Sequence, residues 1–388
     1  MPKLRCMSVT GLQAFVLCST MGCDAYRVKG ADGADSGTPI DEPSSPTDTQ
    51  SPTDTGREGD TGASADTGGA HPLTPVYVTL VGHVEDHESL WLCPQWTQTR
   101  DGLLSWANVL EPYTTTFNLQ IDYPFIAAMN DCELPEMRAE TGGMNVLKYL
   151  ESEYGWEFDP HQEGGYEGID ETPDDYADIH WILSRVVDNP TDTVGGFIWN
   201  DQDQLDRYES GYPTSRIHEH SWTPTLLTMA VHYDHHLGNF SQDNNTSGMW
   251  HPAGSTETDF NSHDASLRLP YIGTGLQHSN WSGSGRCDFH HSIEYAGAVS
   301  NMIERGDLDS DRLYTATMAF PSSVMLNEEK YDRAVEILED GQALANEGRI
   351  QIASYTAVHT IWQTEYGSEP NILTYDQIDP EEYTCPDE

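Results

Sequence analysis

From Pro75 onward, short β-branched and aromatic runs alternate with stretches of helical periodicity, and this alternation constrains the fold more than any other feature. Val76-Tyr77-Val78-Thr79-Leu80-Val81 is a largely apolar run of the kind found in strands buried on both faces. Further strands are predicted over 115–121, 156–158, 194–199, 314–320 and 349–355. Helices are predicted over 97–110, 141–154, 174–187 and 328–345. Their apolar residues, such as Tyr176, Ile179, Ile182, Leu183 and Val186, recur at helical spacing. The stretch from Arg207 to Ser310 is rich in Gly, Asn, Ser and His and is expected to hold long loops. Repeated β-then-α units imply parallel strands joined by right-handed crossovers. The expectation is an α/β fold, a distorted (β/α)7-type barrel over residues 73–388. An open doubly wound sheet is the alternative, but its G-x-G-x-x-G fingerprint is missing.

The segment before Pro75 reads as an address and a tether. Lys3 and Arg5 precede a short apolar run from Cys6 to Leu17, and small residues follow up to Gly22-Cys23. A positive start, an apolar middle and small residues mark a secretory signal over 1–22. Gly22-Cys23 resembles a bacterial lipoprotein cleavage site, with Cys23 as the lipidated residue. Residues 23–72 are Asp, Thr, Ser, Gly and Pro with almost no large apolar side chain. Ser45-Pro46-Thr47-Asp48-Thr49 recurs as Ser51-Pro52-Thr53-Asp54-Thr55. Such a segment cannot bury enough surface to offset its ordering entropy, so a disordered acidic linker is expected. The chain is thus expected to be exported and held at the cell envelope by an N-terminal lipid in the membrane. Cys93, Cys132, Cys287 and Cys385 are an even set for an exported chain; Cys93–Cys132 and Cys287–Cys385 are the pairings that sequence proximity favours.

Lys and Arg number 18 against 64 Asp and Glu, a formal charge of −46. A surface this acidic repels phosphate backbones, which excludes nucleic acid as a partner.

In parallel α/β folds the chemistry sits at the carboxyl ends of strands. The first predicted strand runs into Gly82-His83-Val84-Glu85-Asp86-His87, the second into Gln120-Ile121-Asp122, the third into Asp159-Pro160-His161-Gln162-Glu163. His83, Asp122, His161 and Glu163 are therefore candidate ligands of a divalent metal, zinc first, because imidazole nitrogens and carboxylate oxygens in one pocket suit it. Glu85 and Asp86 are the candidate catalytic carboxylates. Further histidines lie in the middle of the chain, in His218-Glu219-His220, His232-Tyr233-Asp234-His235-His236, Trp250-His251-Pro252 and His290-His291. Trp199, Trp222, Trp250, Trp281 and Trp362 fall in or beside predicted loops, where they either stack on sugars or fill the core.

The arrangement VTLVGHVED (78–86), NLQIDYPF (118–125) and EFDPHQEGGY (157–166), followed by DYADIHWIL (175–183), is similar to a bacterial branch of the polysaccharide deacetylase (NodB-like) superfamily. The resemblance implies a distorted (β/α)7 barrel, a divalent metal, and hydrolysis of N- or O-acetyl groups on a polysaccharide. It implies Glu85 or Asp86 as base or ligand and His161 as ligand. Gln162 stands where the branch carries a second histidine, and Val81-Gly82-His83-Val84-Glu85-Asp86 departs from the superfamily's Thr-Phe-Asp-Asp motif. Two expectations follow. One is a surface-anchored, metal-dependent carbohydrate deacetylase. The other is a non-catalytic glycan-binding or structural lipoprotein built on the same barrel.

Overall fold

The structure is a computed structural model; it describes residues 74–84, 93–161, 175–231, 246–275, 291–374, 377–379 and 382. All of them belong to one unit, Gly68–Glu388. The expected signal and linker, with Cys23, and Glu85, Asp86, Glu163, Trp281, Cys287 and Cys385 lie outside the described residues.

The first half of the unit keeps the expected strand–helix order, with two further helices after the second strand: β1 (Val76–Val84), α1 (Cys93–Leu110), β2 (Asn118–Ile121), α2 (Tyr123–Cys132), α3 (Pro135–Glu140), α4 (Val146–Tyr154), β3 (Glu157–Pro160), α5 (Tyr176–Leu183) and β4 (Thr193–Ile198). The second half carries α6 (Gln202–Ser210), β5 (Leu226–Val231), β6 (Thr246–Ser247), β7 (Met249–Trp250), α7 (Glu257–Phe260), β8 (Tyr271–Ile272) and α8 (Ser292–Arg305). It ends with β9 (Tyr314–Pro321), α9 (Ser322–Met325), α10 (Tyr331–Asn346), β10 (Ile350–Ile352), α11 (Tyr355–Thr364) and β11 (Leu373–Thr374).

Several boundaries differ from the sequence reading for local reasons. Helix α4 starts at Val146 rather than 141, because Gly142 and Gly143 adopt φ of +67° and +91° and Asn145 caps the helix through Lys148 N. Helix α2 was not expected, although Asp122 at its N-cap and a proline in its first turn announce it. The stretch expected to be loops holds α6, β5 and α8. The apolar run Leu226–Val231 accounts for β5, and the buried face from Ile293 through Ala296 and Val299 to Ile303 for α8. The expected last strand is shorter, ending at Ile352, and helix α11 begins at Tyr355, capped by Ser354 through Ala357 N.

Strands β1, β2, β3, β9 and β10 form an all-parallel sheet. Strand β9 pairs with Val76–His83 along nearly the whole of β1, while β10 pairs with Val76–Val78 and β2 with Val81–Val84. Each residue of a strand has two edges, so β10 and β2 divide the edge opposite β9. A second sheet runs β4, β5, β8 in parallel, with β7 antiparallel at its end. Backbone hydrogen bonds join the sheets at two places: Thr191 N donates to Phe158 O at 3.1 Å beside β3 and β4, and Thr317 N donates to Thr274 O at 2.7 Å beside β8 and β9.

Period-two alternation sorts the first sheet into two faces. Val76, Val78, Leu80, Val84, Leu119, Ile121 and Phe158 join the main core with helix residues such as Leu103, Trp106, Ile126 and Leu147. The opposite face carries Thr79, His83, Asn118, Gln120, Asp159 and Thr317, all but His83 fully buried. The apolar run of β1 is thus buried on both faces, and on the second one Tyr77 and Val81 pack in a hydrophobic cluster with Leu226 and Met249 beside the polar Thr79 and His83.

Cys93 at the start of α1 and Cys132 at the end of α2 are joined by a disulfide. The bond closes a loop with a sequence separation of 39, for which the chain-entropy relation gives about 4 kcal/mol. Reduction, or the pair Cys93→Ser with Cys132→Ser, is expected to lower stability by up to about that amount in urea denaturation. An unchanged midpoint would show that α1 and α2 are held by Trp96 on Phe125, in edge contact at 5.2 Å, without the crosslink.

Candidate functional site

The chain of β1 carries His83 one residue before its end, and β3 delivers His161 directly after Pro160. His161 is buried and His83 partly so, and their ring centroids lie 4.3 Å apart at an angle of 47°. Two strands that are not neighbours thus bring two imidazoles together at the carboxyl ends of a parallel sheet. His161 Nδ1 lies 2.6 Å from Gly195 O, which can only accept, so Nδ1 carries the proton and the ring's lone pair is on Nε2.

The second sheet closes onto this pair through a kink. In the β4–β5 register Gly195 faces Thr228 and Phe197 faces Ala230; between them Gly196 and Met229 adopt φ of +74° and +55°. Left-handed backbone on a buried methionine costs roughly 1–2 kcal/mol per residue and persists only where its surroundings impose it. The kink turns Gly196 toward the imidazoles. A Cβ there would sit 2.7 Å from His161 Nδ1 and 3.0 Å from His83 Nε2. Tyr176, the first residue of α5, donates its hydroxyl to Gly196 O and holds the kink from outside.

Beneath the imidazoles lies a buried polar cluster. Asp159 is fully buried and accepts from Thr191 Oγ1 at 2.6 Å, and more weakly from Asn118 Nδ2 and Gln120 Nε2 at 3.4 and 3.5 Å. Gln120 Nε2 also donates to Thr228 Oγ1 at 3.2 Å. Burial pushes the Asp159 carboxyl up to about 7, and the neighbouring Glu157 carboxylate adds to the rise against those hydrogen bonds. This cluster escaped the sequence reading. Its signal was present in the alternation Asn118, Gln120, Asp122 and Glu157, Asp159, His161, polar residues at every second position of two short strands.

Asp122, expected as a ligand, serves as the N-cap of α2 and accepts from Phe125 N at 3.1 Å. Glu85, Asp86 and Glu163 follow the strand ends in sequence but lie outside the described residues. Among the described residues no group of three or more His, Cys, Asp or Glu side chains is gathered for a metal ion.

The remaining histidine candidates are spread elsewhere. His291 caps α8 by accepting from Glu294 N. His251 donates from Nδ1 to Leu267 O at 2.6 Å. His220 and His180 share a contact of 3.4 Å, with Asp192 3.3 Å from the far side of His180. His232, Asp234, His235, His236 and His290 lie outside the described residues. Of the tryptophans, Trp199, Trp222, Trp250 and Trp362 are buried, so these four fill the core rather than offer faces to a sugar. Among the described residues no helix is long and apolar enough to cross a membrane.

No known protein family matches the chain, and no curated protein matches it. Among solved structures, the 4-alpha-glucanotransferase of Thermococcus litoralis is similar at a TM-score of 0.44 and 9% identity, over 76% of this chain and 41% of that enzyme. The chain therefore spans less than half the length of that structure.

Proposed function

We propose that this chain is a surface-anchored, metal-dependent hydrolase that removes N- or O-acetyl groups from a polysaccharide, on a distorted (β/α)7-type barrel. The observation that carries the reading is the pairing of His83 and His161, 4.3 Å apart where parallel strands end. Closure into a barrel is supported by the hydrogen bonds that join the two sheets beside β3–β4 and β8–β9. Export and lipidation at Cys23 are supported by the leader pattern of residues 1–22.

The two imidazoles suit a divalent metal. His161 is locked by Gly195 O in the tautomer whose Nε2 can ligate, the backbone arrangement commonly found behind metal-bound histidines. His83 stands beside it as a second nitrogen donor, and Glu85, Asp86 and Glu163 supply carboxylates within three residues of these histidines in sequence. When bound, such an ion supplies Lewis-acid polarisation of a carbonyl. The chain's own part is to hold the imidazoles rigid between the Gly196 backbone and the Asp159 cluster, and to provide Glu85 or Asp86 as the base that takes a proton from water.

The exported domain is expected to bind about one equivalent of zinc or another divalent ion, and His161→Ala to weaken that binding at least tenfold, as read by metal analysis and competition with a chelator. Acetate release from an acetylated polysaccharide is expected to fall in parallel. A wild-type domain that takes up no metal from solution and releases no acetate overturns the reading, and leaves the non-catalytic, glycan-binding lipoprotein in its place.

A further inference from the structure

A surface groove of about 380 Å³ lies on α2, α5 and the segment around His218, outside the imidazole site. Its volume falls within the roughly 300–1,000 Å³ of small-ligand clefts. Tyr123 lines it and is 38% exposed, one of three large hydrophobic side chains that are exposed among the described residues. Tyr123 directly follows Asp122, so the groove begins next to the carboxyl end of β2.

The far wall is built, not incidental. Trp181 is stacked by His218, with centroids 4.0 Å apart and planes at 14°, and Arg185 lies over the indole at 4.6 Å. His218 is held there by its backbone. Buried Asp178 accepts from Ile217 N at 3.1 Å and from His218 N at 2.9 Å, and the next residue, Glu219, adopts a left-handed φ of 50°. A buried carboxylate and a strained residue thus fix the position of one wall side chain. Asn130 and Asp131 add amide and carboxylate groups on the α2 side.

We propose that this groove is a binding subsite for a neutral glycan chain, resting on the reading that the substrate is a polysaccharide. The exposed tyrosine ring offers an apolar face for a pyranose, and Asn130, Asp131, Arg185 and His218 offer planar hydrogen-bonding groups for its hydroxyls. Charge selects the class. Asp131 and Arg185 balance one another within the groove, while the chain as a whole carries −46 and repels a polyanionic glycan. A slot of this size takes one or two sugar rings; a stable protein contact needs roughly 800 Å² per partner.

The test is calorimetric titration of the whole exported chain with two neutral probes, the N-acetylglucosamine hexamer and cellohexaose, and one anionic probe, oligogalacturonate. At least one neutral hexamer is expected to bind and the anionic probe not to bind. Tyr123→Ala is expected to weaken binding about tenfold, and Tyr123→Phe to keep it, since the ring and not the hydroxyl makes the contact. Binding is expected to persist in His161→Ala, which separates this claim from the fate of the imidazole site. Absence of binding by both neutral hexamers, preference for the anionic probe, or full affinity in a folded Tyr123→Ala overturns the proposal. A shift of oligomeric state in Tyr123→Ala without any hexamer binding would identify the face as a protein contact, which also overturns it.

Discussion

Gly196→Ala is expected to destabilise the protein by about 3 kcal/mol and to separate the two imidazoles. Two effects add. An L-residue at φ +74° costs roughly 1–2 kcal/mol. The new methyl would stand 2.7 Å from His161 Nδ1 and 2.8 Å from His161 Cε1, closer than carbon and nitrogen approach, and overpacking of a closed site costs typically 1–3 kcal/mol. The strand cannot simply relax away, because Tyr176 holds Gly196 O and the neighbouring Gly195 O holds the His161 ring. The imidazole must move instead, and its hydrogen bond to Gly195 with it. Urea denaturation reads the first effect; the pH titrations of His83 and His161 by NMR read the second. Wild-type stability with unmoved histidine resonances would show that β4 does not press on the pair.

Asp159→Asn is expected to stabilise the protein above neutral pH and to have little effect near pH 4. The Asp159 carboxyl titrates at about 7 in the folded chain, against about 3.9 when free. Below pH 4 both states hold the proton and nothing is lost. Between about 4 and 7 the folded form keeps a proton that the unfolded chain has released, so stability falls as pH rises through that window. Above 7 the loss is complete, and three units at 1.36 kcal/mol each put it at about 4 kcal/mol. An amide at this position cannot ionise, so the difference between variant and wild type should grow from pH 4 to 7 and then level. A flat difference curve across pH 4–8 would falsify the placement of an ionisable proton on Asp159.

Both predictions concern residues that the sequence displayed without explaining. Gly195-Gly196 reads in sequence as a weak point in a strand. Its use becomes visible only when β4 is seen against two histidines that precede it by more than thirty residues. Asp159 was visible as part of Asp-Pro-His, but its burial depends on Thr191 and on Asn118 and Gln120 of the neighbouring strand. The tryptophans make the same point in reverse. Trp250 stands between glycines, histidine and proline in a stretch that reads as loop, yet it is fully buried and donates its indole N–H to Phe260 O at 2.6 Å.

The sequence by itself determined the β-then-α order of the first half, because periodicity is a local property that packing on a parallel sheet merely exploits. It also located the strand ends, and with them His83 and His161, since a strand's carboxyl end can be read from where its apolar run stops. Tertiary structure alone decided which of those ends meet. The sharing of one β1 edge by β10 and β2, the kink at Gly196 and Met229, and the capping role that draws Asp122 to Phe125 all arise from contacts between distant segments. Their energies depend on distance in space, which spacing along the chain does not encode.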